Sequence, residues 1–331
     1  MTINQNKEIM VKQKTNKPVH PKRYVVSSAI GTIYSYIATA MIVCVFAFIL
    51  IVIFKYGWEV LSLQFLITEP NPSALNAASG GILTPLIGTV ILTVIGISIS
   101  FPFALATAIY LSFYARKGFF KTLVKGAVDI LSGVPTVVIA MFALVIFTLP
   151  QFGFLSVMIE GVEGTNRAYG RSFLVAGITM AIMILPFVIK SMEESLKSVP
   201  TSYIDASLAL GATKWRTIYS VVLNAARDGL ITGSILGMGR IIGDTAIVWL
   251  ALGGSIRMTG NQPWYLLGNW LSTLKNGGST LTTYIYYTSP VGEGNQFDVA
   301  FGASLVLIAI IILLNLSATA IGKMGVKVHG Q

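Results

Sequence analysis

Cysteine is almost missing from this sequence. Cys44 stands alone inside an apolar run, which excludes an intrachain disulfide and any cysteine-based metal or redox motif. The two histidines, His20 and His329, lie in opposite tails, so no zinc site is expected. The spacing Gly-x4-Gly-Lys-Ser/Thr occurs nowhere, and the chain therefore carries no site of its own for binding and hydrolysing ATP. Charge is scarce as well: only 11% of the 331 residues are charged, against 54% hydrophobic, and the mean hydropathy is +0.75. Such a chain has too little polar surface to cover a water-soluble globule of this size. The expectation is an all-α integral membrane protein.

What the sequence has instead is long apolar runs. Residues 1–29 form a polar, basic tail, and the run at 30–54 is longer than a signal-peptide core and lacks a small-residue cleavage site, so it reads as a retained first span. A bilayer asks for about 20 apolar residues per helix. Further runs meet this near 82–113, 124–149, 172–189, 222–252 and 298–321, giving six transmembrane helices and a short tail at 322–331. Basic residues divide unequally between the two sides. Lys7, Lys12, Lys14, Lys17, Lys22, Arg23, Arg116, Lys117, Lys121, Lys125, Lys190, Lys197, Lys214, Arg216, Arg227, Lys323 and Lys327 fall on one side; Lys55, Arg167, Arg171, Arg257 and Lys275 fall on the other. The excess of Lys and Arg on cytoplasmic loops then puts both termini in the cytoplasm and the loop 253–297 outside. Most of its aromatics, Trp264, Tyr265, Trp270, Tyr284, Tyr286 and Tyr287, are expected in an interfacial belt.

Proline and charge mark where these spans depart from plain helices. The second begins Gly80-Gly81-Ile82-Leu83-Thr84-Pro85 and is expected to break again at Pro102. In the third, Asp129 precedes Ser132-Gly133-Val134-Pro135-Thr136, and reads first as a buried cap or as the partner of a nearby Lys or Arg, with a transport role as the alternative. The fifth span holds the most informative charges. Gly229, Gly233 and Gly237 recur every four residues, Gly239 and Gly243 lie on a neighbouring face, and both stripes allow close helix approach. Arg240 lies about 18 Å up the helix from Asp228, near the middle of a core about 30 Å thick. Two readings stand. Arg240 pairs with Asp244, its neighbour at i+4, or its guanidinium grips a tetrahedral oxyanion while Asp244 holds the empty site or favours a protonated anion.

Between the fourth and fifth spans, residues 200–224 form a compact knob. Residues 203–210 are good helix formers, Gly211 ends or turns the helix, and Lys214 and Arg216 follow in a basic second helix. Such a knob fits a partner's groove. Asp205-Ala206-Ser207, Gly211, Val221 and Leu223-Asn224 fall at the spacing of the coupling signature of ABC-importer permeases, with Asp, Ser, Val and Asn replacing the signature's Glu, second Ala, Ile and Pro.

Taken with Gly80–Thr89, Asp129–Thr136, Leu185–Lys190 and Gly239–Ala246, the chain resembles the PstA-type permease subunits of bacterial phosphate ABC importers. The match covers about residues 80–250. The resemblance implies a type I importer fold in the cytoplasmic membrane and an anion path including Arg240, Asp244 and Lys190. It also implies a second, PstC-type permease, two ATP-binding subunits at the cytoplasmic knobs, and an extracellular phosphate-binding protein. No cofactor is bound by this chain; ATP and Mg are used by the partners. Asp244 stands where the family commonly has Glu, and Lys190 where Arg is frequent. A permease for sulfate or molybdate is the nearest rival within the family. A secondary transporter or channel would not need the knob. A membrane enzyme would need more titratable groups in the membrane than Asp129, Arg240 and Asp244.

Overall fold

The computed structural model describes residues 21–71, 80–116, 118–159, 167–255, 258–292, 294 and 296–328, with side chains described between 30 and 320. The tail lysines 7–17, both histidines, Lys117 and Arg257 lie outside the described residues, as do the side chains of Lys22, Arg23, Lys323 and Lys327. The chain divides into two units, residues 1–53 and 54–331. The first holds most of helix α1 (Pro21–Trp58). Its apolar residues leave no polar face, the pattern of a helix bathed in hydrocarbon.

The second unit is built from helices, with one antiparallel pair of two-residue strands, β1 (Met158–Ile159) and β2 (Arg167–Ala168), in register Met158 to Ala168. After α2 (Leu63–Ile67) comes α3 (Leu83–Ile109), extended by a wide turn over Tyr110–Tyr114. This helix runs through Pro102. The break expected there does not occur, because the missing N–H costs only one rung of a ladder that neighbouring turns continue. Helices α4 (Phe119–Gly133) and α5 (Thr136–Phe147) divide the run expected as one span and are bent by 102°. Pro135 causes the break: it forces Val134 into an extended conformation, φ −74° and ψ 128°.

At the centre of the unit is α6 (Phe173–Lys197), whose Phe173, Met180, Ile184, Met192 and Leu196 are buried with Leu92 of α3. It starts at Ser172, whose Oγ accepts from the Val175 amide. After the knob helices α7 (Thr201–Ala209) and α8 (Lys214–Thr217), α9 (Arg227–Gly243) packs its glycine stripe on α6. A Cβ on Gly229, Gly233 or Gly237 would stand 2.5, 2.3 or 2.9 Å from Ser195, Ser191 or Val188, so the glycines set the interhelix distance. Gly239 and Gly243 face open space in this chain.

Helix α9 stops at Gly243, and a wide turn over Val248–Leu252 follows. The stretch 222–252 is therefore not one helix. Among the described residues, four helices are long and apolar enough to cross a membrane, Ile30–Trp58, Leu83–Tyr114, Phe173–Lys197 and Phe297–Ala320, or five if the bent α4–α5 pair is one span. The loop expected at 253–297 contains α10 (Trp270–Lys275) and α11 (Leu281–Thr288) and leads into α12 (Phe297–Val328). Of the aromatics in this stretch, Tyr284 belongs to the core: it is 3% exposed beside Ile82, Leu281, Val299 and Val306.

Candidate functional site

The knob is held by local chemistry. Gly211 has φ +83°, its amide donates to the Leu208 carbonyl at 2.9 Å, and the Ala212 amide donates to the Ser207 carbonyl at 3.2 Å. These are the two bonds of a left-handed helix terminus, which glycine adopts without steric cost. Thr213 then starts α8 by accepting from the Arg216 amide, and the Ser207 and Thr217 hydroxyls meet at 2.9 Å, tying α7 to α8. Lys214 donates to the Phe113 carbonyl and lies 4.7 Å from the centre of the Tyr114 ring, docking the knob on the end of α3. Asp205, Ala206 and Arg216 are exposed. So are Leu210, at 90%, and Trp215, at 60%. These two apolar side chains had no signal in the spacing that marked the knob, yet exposed apolar groups among charges are what a partner's groove would cover.

Two ion pairs join α4 to α6. Lys190 Nζ is 2.8 Å from Asp129 Oδ1 and donates to Ser132 Oγ at 3.3 Å. One turn onward, Glu193 bonds Lys197 and lies 3.7 Å from Lys125. The two differ in kind. Glu193 is 9% exposed and has two cations, a fixed joint. The Asp129 and Lys190 side chains are 67% and 46% exposed in the isolated chain. Asp129 is thus the partner of a lysine.

Arg240 lies with its guanidinium carbon 5.6 Å from the centre of the Phe187 ring. Phe187 is three residues before Lys190 on α6, so Arg240 and Lys190 lie along the same side of that helix. Among the described residues Arg240 makes no ion pair or hydrogen bond, and it borders the open glycines Gly239 and Gly243. The expected i, i+4 pair with Asp244 does not form, because that spacing brings side chains together only along a continuous helix. Asp244 leaves the helix, with φ −81° and ψ 131°. Its Oδ1 accepts from the Ile247 amide at 2.8 Å, capping the next turn. Beyond the break lies an apolar recess of about 360 Å³ lined by Val137, Thr245, Ala246, Trp249, Leu250 and Tyr286. Among the described residues no cluster of His, Cys, Asp or Glu is arranged to hold a metal ion.

The site thus offers a guanidinium within electrostatic reach of Asp244 but in no direct ion pair among the described residues, an ammonium paired with Asp129, and a carboxylate that caps a helical turn. That set suits anion binding and contains no nucleophile paired with a base.

Relatives share this sequence over most of its length. The chain is 31% identical over 216 residues to the phosphate transport system permease protein PstC of Xylella fastidiosa, covering 61% of this chain and 65% of that one, so just under two thirds of the relative's length is matched. It is 27% identical over 267 residues to the phosphate transport system permease protein PstA 1 of Mycobacterium tuberculosis, covering 81% and 76%. Among solved structures, a bacterial alginate ABC transporter with its pentasaccharide-bound periplasmic protein matches at a TM-score of 0.55 and 16% identity, covering 86% of this chain and 93% of that one. A MetNI methionine ABC transporter matches at 0.53 and 17%, covering 73% and 94%. These two share the fold. The family model for the binding-protein-dependent transport system inner membrane component matches residues 100–324, more than half the sequence, and the chain belongs to that family of multi-pass membrane permeases.

Proposed function

We propose that this chain is a permease subunit of an ATP-driven importer that moves inorganic phosphate across the cytoplasmic membrane. The observation that carries the reading is Arg240, a guanidinium without an ion-pair partner among the described residues, on an open glycine-lined face and on the same side of α6 as Lys190. Keeping a charge at that depth costs about 2.5–3.5 kcal/mol on insertion scales. A tetrahedral oxyanion supplies the missing partner, taking two parallel hydrogen bonds from Arg240 and displacing Asp129 from Lys190. Asp244 stands beside this path, capping the turn that follows α9. The names of the PstC and PstA 1 relatives support phosphate as the anion.

The rest of the machine follows from this reading. Residues 222–252 cross the membrane as a broken span, which with the bent α4–α5 pair makes six spans with both termini cytoplasmic. The knob at 200–224 receives one of two ATP-binding subunits, which use ATP and Mg. A second, homologous PstC-type permease closes the other side of the path, and an extracellular phosphate-binding protein delivers the ion. Reconstituted alone into proteoliposomes, the chain takes up no phosphate; uptake appears only with the second permease and the ATPase subunits. Substantial uptake by the chain alone contradicts the reading and makes it a channel or secondary carrier.

A further inference from the structure

The loop between α9 and α12 folds back onto the outer ends of three helices. The Phe173 amide at the start of α6 donates to the Asn276 carbonyl at 3.2 Å. The Leu281 amide donates to Thr89 Oγ1 of α3 at 2.9 Å. Thr282 Oγ1 donates to the Asp244 carbonyl at 3.1 Å. Glycine lets loop and helices meet: a Cβ on Gly88 would stand 2.0 Å from the Ser279 carbonyl oxygen, and one on Gly278 would stand 2.7 Å from the Phe173 ring. The segment is closed to solvent, with Ser279, Thr280, Leu281 and Thr283 each 2% exposed or less. It is a packed joint, unlike an ordinary loop tip.

The bond to Asp244 falls where the fifth span breaks. A carbonyl at a helix terminus has lost its ladder partner and needs another donor; in a membrane the need is greater, since water is scarce. Thr282 is that donor. One turn further along α11, the Tyr286 ring meets Trp249 edge-on at 5.3 Å. Residues 282 and 286 share one face of α11, and their partners, Asp244 and Trp249, bracket the segment that follows the break. The helix therefore lies along that segment and holds it at both ends.

We propose that α11 sets the position of the break at Asp244, with Thr282 as its positioning residue, and thereby fixes how Arg240 is presented to the anion. The proposal rests on the anion-path reading of Arg240. It is tested on the assembled importer with Thr282→Val, which keeps shape and removes the hydroxyl, and with Thr282→Ser, which keeps the hydroxyl. Two quantities are read: amide hydrogen exchange over residues 245–248, and uptake of labelled phosphate. Loss of one hydrogen bond speeds exchange there by about fivefold in the valine variant. Phosphate uptake falls by a similar or larger factor while the subunits still copurify, and serine restores both. Unchanged exchange in the valine variant overturns the proposal whatever the substrate path is. Failure of serine to restore the two readouts overturns it as well, since packing and not the hydroxyl would then be responsible. Faster exchange with full phosphate uptake also overturns it. If the variant combining Arg240→Gln with Asp244→Asn transports phosphate too, the anion-path reading is what has failed.

Discussion

Replacing Arg240 by Gln together with Asp244 by Asn abolishes most phosphate uptake while the importer assembles. The double change removes both charges, so no carboxylate is left uncompensated, and neutral replacement of charged groups in a low-dielectric site is often harmless to stability. The structure makes the comparison sharper. Asp244 works as a cap through Oδ1 to the Ile247 amide, and asparagine caps as well as aspartate. The break at Gly243 therefore survives, and the loss is confined to the guanidinium. Charge-assisted hydrogen bonds contribute about 1.5–3 kcal/mol each, so losing one lowers uptake on the order of 10- to 150-fold. Labelled-phosphate uptake by the reconstituted variant, with copurification of its partners as the control for assembly, checks this. Recovery of uptake in the double variant removes Arg240 from the path.

The second large effect is at the knob. Gly211 has φ +83°, yet a Cβ placed on it meets nothing within 4 Å. Steric room is therefore not what requires glycine; the backbone is. A β-branched residue in that conformation costs about 1–3 kcal/mol, enough to reduce the correctly turned population roughly 5- to 150-fold. Gly211→Val abolishes transport and weakens retention of the ATPase subunits while membrane insertion is normal. Gly211→Asn, which tolerates the left-handed region, keeps most of both. The pair separates backbone conformation from bulk: equal loss in both variants assigns the effect to the side chain. Full retention of the ATPase subunits by the valine variant makes residues 205–224 an ordinary connection.

Local signals carried over from sequence to structure better than distant ones. Gly211 was legible because a glycine after a run of helix formers is a local terminator. The stripe Gly229, Gly233 and Gly237 was legible because its period is the helix's own, and α6 fills it. Hydropathy, by contrast, sums along a run and is blind to direction. It joined residues 124–149 into one span although Pro135 turns the chain by 102°, and it joined 222–252 although α9 ends at Gly243. Proline was misleading in the other direction at Pro102, where the helix continues with one bond missing. The pairing of Arg240 with Asp244 followed from spacing along a helix assumed continuous, and the break removes that premise. The donor that holds the break comes from 38 positions away, Thr282 to Asp244, and no local pattern announces it.

The central claim, that this permease serves a phosphate importer driven by ATP, is tested most directly by uptake in vesicles holding the complex purified from its native membrane. Mg-ATP is supplied to the ATPase face and the binding protein to the other, and labelled phosphate is offered with and without a large excess of sulfate or molybdate. The account predicts ATP-dependent accumulation of phosphate that neither anion suppresses. Accumulation of sulfate or molybdate in place of phosphate, or phosphate entry that needs no ATP, contradicts it.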